Sequence, residues 1–191
     1  MSSFISRTLN TLRESQKFTS RATSINKGKL PRHYGIVAKH FGWEKGTTHL
    51  DVGGGRFDNA IEHLEGQGIT GHVYDPYNRS EEHNANALAA TKGAHTTSLF
   101  NVLNVIQEPE DQIAAVRVAH EQLRPDGRVF IGVYEGDRSG VGKQTGKDQF
   151  QQNQPLESYL PMVQQVFPNA SVHRGIIHAT KEQRKNYNEN I

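Results

Sequence analysis

The 191-residue sequence contains no cysteine. Disulfides, thiolate metal sites and cysteine nucleophiles are therefore excluded, and such a composition suits a reducing compartment. Apolar residues are scarce as well, at 34% of the chain with a mean hydropathy of −0.71. No run approaches the ~20 consecutive apolar residues that a membrane-spanning helix needs. The opening stretch MSSFISRTLNTLRESQKF lacks the continuous apolar segment of a secretory signal, so a cytoplasmic location is expected. The ten histidines form no H-E-x-x-H and no i,i+4 pair backed by acids, so no metal site is expected. A G-x-S-x-G element is absent, which argues against serine-hydrolase chemistry.

Charge is nearly balanced, with 22 Lys+Arg against 20 Asp+Glu, but it is unevenly placed. Residues 1–45 hold nine basic and two acidic side chains, whereas residues 46–191 hold thirteen and eighteen. A basic arm ahead of an acidic body points to a polyanionic partner, DNA or RNA. The alternative is a solvated segment that only aids solubility. The length fits one domain, and the chain divides into a basic arm at 1–30, a folded unit at 31–182 and a short tail at 183–191.

Within the folded unit, short apolar runs alternate with amphipathic stretches, the rhythm of a parallel α/β sheet. Helices are predicted over about 31–42, 57–66, 81–91 (capped by Ser80), 109–123 and 156–167. Strands are predicted at Thr48–Val52, Gly71–Tyr74, Thr96–Phe100 and Arg128–Tyr134, with closing strands at Ser171–Arg174 and Gly175–Thr180. Residues 136–153 read as a long Gly- and Gln-rich loop, longer than an ordinary connection and hence functional or mobile.

The most informative segment is HLDVGGGRFDNAIEHL. A strand ends at Asp51, then Gly53, Gly54 and Gly55 permit a tight turn and close ligand approach before a helix. Asp75 follows twenty residues beyond Gly55, at the end of the second strand, where a carboxylate accepts hydrogen bonds from ribose hydroxyls. The bland alternative is a strand–turn–helix in which Asp75 serves as a cap. A dinucleotide motif starting at Gly53 fails because Asp58 takes the third glycine position. The tempting GVGKQT is no P-loop, since Gln144 follows Lys143 and Asp137 stands where the first glycine belongs. Asp51 beside the glycines favours a cationic nucleoside ligand without phosphate, which describes S-adenosylmethionine (SAM).

These residues resemble the class I SAM-dependent methyltransferases over about residues 45–180. Asp51-Val52-Gly53-Gly54-Gly55 is similar to their first motif, Asp75 to their ribose-binding acid, and Leu123–Arg128 to the turn before their fifth strand. The segments DPYNRS, NVLNVI and VYEGDRSG further resemble small phage and bacterial methyltransferases that accompany DNA phosphorothioation. The resemblance implies a Rossmann-like sheet with a shortened third-strand region, behind the basic N-terminal extension read from the charge. It implies SAM as cofactor, held by Asp51, Gly53, Gly54, Gly55, Asp75, Pro76 and Asn101. Only about twenty residues separate Asp75 from Thr96, which leaves no room for the family's third strand and its adenine-binding acid.

Asn101, Asn104 and Glu135 fall at the carboxyl ends of strands, where open α/β sheets place ligands, and are the catalytic candidates. The asparagines can orient an acceptor, and Glu135 can take a proton. The segment around Asn101–Asn104 lacks the Asn/Asp-Pro-Pro-aromatic signature of DNA amino-methyltransferases. The 136–153 loop offers Arg138, Lys143 and Lys147 for charge, Gln149, Gln151, Gln152 and Asn153 for hydrogen bonding, and Phe150 for stacking a base. Methyl transfer to nucleic acid is the leading expectation. A small-molecule or protein methyltransferase and a non-catalytic binder are the alternatives.

Overall fold

A computed structural model describes residues 27–147 and 149–182. The predicted basic arm therefore lies almost wholly outside the described residues, as does the 183–191 tail.

The chain runs α1 (Arg32–His40), β1 (Thr48–Val52), α2 (Asn59–Glu65), β2 (Thr70–Tyr74), α3 (Glu81–Ala90) and β3 (Ala94–Phe100). It continues with α4 (Pro109–Gln122), β4 (Leu123–Gly132), β5 (Gly142–Gly146), β6 (Gln149–Gln152), α5 (Leu160–Gln164), β7 (Ser171–His173) and β8 (Ile176–Thr180). Six strands form one sheet in the order β2-β1-β3-β4-β8-β7, and β5 and β6 pair separately. Strands β2, β1, β3 and β4 are parallel, while β8 and β7 join antiparallel. With β2 at the edge, no strand stands beyond it among the described residues, in accord with the short interval between Asp75 and Thr96.

Side chains alternate between the two faces of each strand. Leu50, Leu99, Val129 and Ile131 enter the core under α4 and α5, whereas Phe100 and Phe130 join Tyr34, Val37 and Leu64 under α1 and α2. Glu81 follows Ser80, whose hydroxyl accepts the His83 amide at 3.1 Å and fixes the start of α3. The expected turn Arg124–Gly127 is a bulge inside β4. Leu123 pairs with Ala94 and Arg128 with Thr96, so four residues loop out around Asp126 at φ 65°.

Two expectations need correction. Residues 156–167 are not one helix. A 3-10 turn, Leu156–Tyr159, leads into the short α5, with Pro161 in its first turn. Residues 136–153 are not an irregular loop, because they contain the β5–β6 hairpin, in which Lys143 faces Gln151 and Gln144 faces Phe150.

Candidate functional site

The carboxyl ends of β1, β2 and β3 converge on the glycine turn. Gly53 and Gly55 both have left-handed backbones, φ 76° and 77°, which a side chain at Cβ disfavours. At Gly53 a Cβ would also approach Val102 Cγ2 at 2.7 Å, and at Gly54 it would meet Asp51 Oδ2 at 2.6 Å. The glycines are thus required by packing as well as by the turn.

Asp75 is the keystone of this turn. Its Oδ2 accepts from the Gly55 amide at 2.9 Å and the Asn78 side-chain amide at 3.1 Å, and its Oδ1 accepts from the Tyr77 and Asn78 amides, each at 3.0 Å. Four donors engage all the lone-pair sites of a carboxylate. Asn84 on α3 clamps the Asp75 backbone, accepting from its amide at 2.9 Å and donating to its carbonyl at 3.0 Å. Arg79 donates to the Gly55 carbonyl at 2.7 Å and pairs with Asp58 at 2.7 Å. Asp58 is therefore matched by a cation, and its sequence-based weight against a phosphate ligand is reduced accordingly. Neither Asn84 nor Arg79 stood out in the sequence; the recognisable turn pattern in DPYN is the Asp75–Asn78 spacing.

Beside the turn opens a cavity of ≈ 570 Å³, within the range of sites for small ligands and cofactors. Gly53, Gly54, Gly55, Asp75, Pro76 and Asn101 line it together, as does Asn104. One wall is apolar, formed by Val102, Ile106, Ala114, Ala115 and Val118. No lysine or arginine among the described residues lines it. Asn78, Asn101 and Asn104 each carry a buried side-chain oxygen without a hydrogen-bond partner. An unmatched buried acceptor costs about 1–3 kcal/mol, which a donor-bearing ligand would recover. Asn101 also holds a left-handed backbone, φ 60°, at the mouth of β3, a strained position of the kind found at ligand sites.

Asp51 and Glu135 stand apart from this group. Asp51 is not in the cavity wall but in a small neighbouring recess with Gly53, Gly54 and Pro31. It is buried and accepts from the Ser98 hydroxyl at 2.9 Å, and burial raises its pKa to about 6. The same Ser98 hydroxyl meets His49 Nε2 at 3.0 Å, and burial lowers that histidine to about 3. Glu135 is also outside the cavity lining. It accepts from the Leu156 amide at 2.7 Å, capping the 3-10 turn, and pairs with Arg138 at 3.4 Å.

The hairpin roofs the cavity through Thr145, Gln149, Phe150 and Gln151. Its amides mostly hold the hairpin in place. Gln151 accepts from Asn104 Nδ2 at 3.0 Å and donates to the Tyr134 carbonyl at 2.8 Å, while Asn153 donates to the Val141 carbonyl at 3.1 Å. Lys143 pairs with Asp137, so two of the three cations in the segment are matched by carboxylates.

No protein-family model and no curated protein matches the sequence. Solved structures do match in fold. The Burkholderia thailandensis 1,6-didemethyltoxoflavin-N1-methyltransferase, crystallised with 1,6-didemethyltoxoflavin and S-adenosylhomocysteine, aligns with a TM-score of 0.55 at 18% identity, over 78% of this chain and 76% of that one. A Methanosarcina mazei SAM-dependent methyltransferase aligns with a TM-score of 0.56 at 11% identity, over 78% and 98% of the two chains. The fold is that of class I SAM-dependent methyltransferases. NodS, an N-methyltransferase from Bradyrhizobium japonicum, also matches, with a TM-score of 0.50 at 10% identity over 80% of this chain and 95% of that one. The chain spans only about half the length of another match, 54% of TnmH. In this methyltransferase fold the cavity lies at the carboxyl edge of the parallel strands, where open α/β sheets bind ligands. Among the described residues no helix is long and apolar enough to cross a membrane, and no group of three metal-ligating side chains forms.

Proposed function

We propose that the chain binds SAM in this cavity and transfers its methyl group to an acceptor. One observation carries the reading. The cavity beside the glycine turn is lined by Asp75 and three asparagines with unmatched oxygens, and by no lysine or arginine among the described residues. Such a wall disfavours phosphates and suits a cationic ligand rich in N–H and O–H donors. SAM has a sulfonium, an ammonium, two ribose hydroxyls and a flat base, and the residues present fit it.

Asp75 would hold the ribose by exchanging the Asn78 side-chain amide, the longest of its four contacts at 3.1 Å, for a hydroxyl. The Asn78 oxygen then becomes a second acceptor for the nucleoside. The apolar wall of Val102, Ile106, Ala115 and Val118 suits the adenine face. Asn101, just past β3 and in the same lining as the glycines, suits the methionine portion. Asp51 in its recess would act on the ammonium only through Gly53 and Gly54 or a water. Bound there, SAM supplies an already activated methyl group, so aligning the acceptor provides much of the rate. Asn101 and Asn104 are the orienting side chains, whereas Glu135 is engaged in capping and pairing.

A nucleic acid as acceptor is the second reading, favoured by the nine basic against two acidic residues in 1–45. The experiment is incubation of the full chain with methyl-labelled SAM and separate DNA, RNA and small-molecule pools. Label in any acceptor pool is expected. Tight SAM binding without label in any pool would favour a non-catalytic binder and overturn the transferase reading.

A further inference from the structure

The end of the cavity farthest from Asp75 carries information about the acceptor. Across the sheet, the lining runs from Asp75 at β2, through the glycines at β1 and Asn101 at β3, to Tyr134 just past β4. Tyr134 is 63% exposed, an unusual state for a large aromatic among the described residues. The hairpin brings Phe150 into the same cavity. Its ring is seated against Gly142 on the facing strand, where a Cβ would come within 2.5 Å of Phe150 Cζ. Two aromatic side chains therefore line the β4 end, and the Gln151 bonds to Asn104 and to the Tyr134 carbonyl hold the roof over it.

The chemistry of this end is as telling as its shape. Among the described residues no histidine, lysine or glutamate lines the cavity. The carboxylates that do are Asp75, engaged by four donors, and Asp111, exposed in the first turn of α4. A hydroxyl or alkylammonium acceptor needs a positioned base to free its lone pair. An anionic acceptor needs a cation, and none lines the wall. A neutral ring nitrogen needs neither, and its flat ring matches aromatic side chains.

We propose that the methyl acceptor is a neutral, planar nitrogen heterocycle whose ring packs against Tyr134 and Phe150. This inference rests on the cofactor reading above. The ring-nitrogen lone pair forms the new N–CH3 bond as the methyl–sulfur bond of SAM breaks, and S-adenosylhomocysteine leaves with the bonding pair. The ring becomes cationic, or sheds an N–H proton to water where it carries one, and the carbonyl-rich wall tolerates the positive charge. Both a free heterocycle and a base presented by a single-stranded polynucleotide have this chemistry.

The test uses the full chain saturated with S-adenosylhomocysteine for binding and with labelled SAM for transfer. Isoquinoline, adenosine and a single-stranded adenine oligonucleotide are the nitrogen probes, and 2-naphthol and 2-naphthoate are shape-matched controls. Calorimetry should detect at least one nitrogen probe and neither control, and label should follow the same order. Label in the oligonucleotide alone assigns the polynucleotide source, and label in isoquinoline or adenosine assigns the free one. Phe150→Leu and Tyr134→Leu should each weaken probe binding about tenfold while S-adenosylhomocysteine affinity stays within about threefold. Equal binding or labelling of 2-naphthol or 2-naphthoate overturns the proposal. So does a protein that binds SAM yet takes up no nitrogen probe, a result distinct from failure to bind SAM at all.

Discussion

The amide of Gly55 donates to Oδ2 of Asp75 across 2.9 Å, joining two residues twenty positions apart in sequence. That bond ties the turn after β1 to the turn after β2 and sets one wall of the cavity. Asp75→Ala would leave the amides of Gly55, Tyr77 and Asn78 without their acceptor. A loss of about 1–3 kcal/mol in urea denaturation is expected, chiefly from the buried Gly55 amide. In the fraction that folds, SAM affinity should fall about 10- to 150-fold by calorimetry. Unchanged stability would mean that water replaces the carboxylate at no cost.

Gly53→Ala probes the turn itself. Its backbone is left-handed and a Cβ would press on Val102, a cavity wall residue. The variant should lose about 1–3 kcal/mol of stability and bind SAM more weakly. Wild-type affinity would show that Val102 can retreat without narrowing the site.

The buried polar groups of α1 and of β1 predict a pH dependence. His33 and His49 are lowered to about 4 and about 3, chiefly by burial, so each stabilises the fold fully above pH 6.5 and loses that contribution as pH falls. Asp51 is raised to about 6 by burial, so its contribution is full below about pH 4 and is lost as pH rises through 6. The two histidines outweigh the one aspartate, and thermal stability should fall between pH 6.5 and 4.5. Asp51→Asn removes the opposing effect and should steepen that fall. A flatter profile in the variant would contradict the assignment.

Gln151→Ala removes the bonds to Asn104 and to the Tyr134 carbonyl. Hydrogen exchange across residues 142–152 should accelerate, with only about 1 kcal/mol lost from the whole fold. Unaltered exchange would show that the β5–β6 pairing alone holds the roof.

Glu135→Gln keeps an oxygen for the Leu156 amide and loses only the Arg138 pair. Methyl transfer should stay within about twofold of wild type, since an exposed pair contributes about 0–1 kcal/mol. A large loss of turnover at unchanged SAM affinity would return Glu135 to the catalytic group.

Much of this structure is legible in the chain. Thr48–Val52 was predicted to the residue, and Ser80 does cap α3. Both rest on local signals, a short stretch with β-branched ends bounded by Gly46 and Gly53, and a cap followed by acidic residues. The hairpin was not legible, because GKQTG and QFQQ carry no apolar alternation and are paired through the backbone and the Phe150–Gly142 contact. The spacing from Gly55 to Asp75 marked the right pair, but not that four donors would engage the carboxylate. Glu135 illustrates a further limit: its position at a strand end suggested chemistry, whereas its partner is an amide twenty-one residues away.

The salt dependence of polynucleotide binding tests the basic arm. Residues 1–30 carry Arg7, Arg13, Lys17, Arg21, Lys27 and Lys29 against Glu14 alone. If they contact phosphates, affinity for single-stranded DNA or RNA should drop steeply with salt, and removing them should flatten the slope. An unchanged slope would leave the arm no part in binding.

The central claim is that the cavity beside Gly53–Gly55 holds SAM, and titration calorimetry of the full chain tests it most directly. SAM and S-adenosylhomocysteine should bind one per chain with a micromolar dissociation constant, and ATP and NAD should give no heat because no cation among the described residues meets their phosphates. Absence of SAM binding by a folded chain, or equal binding of ATP, would contradict the account.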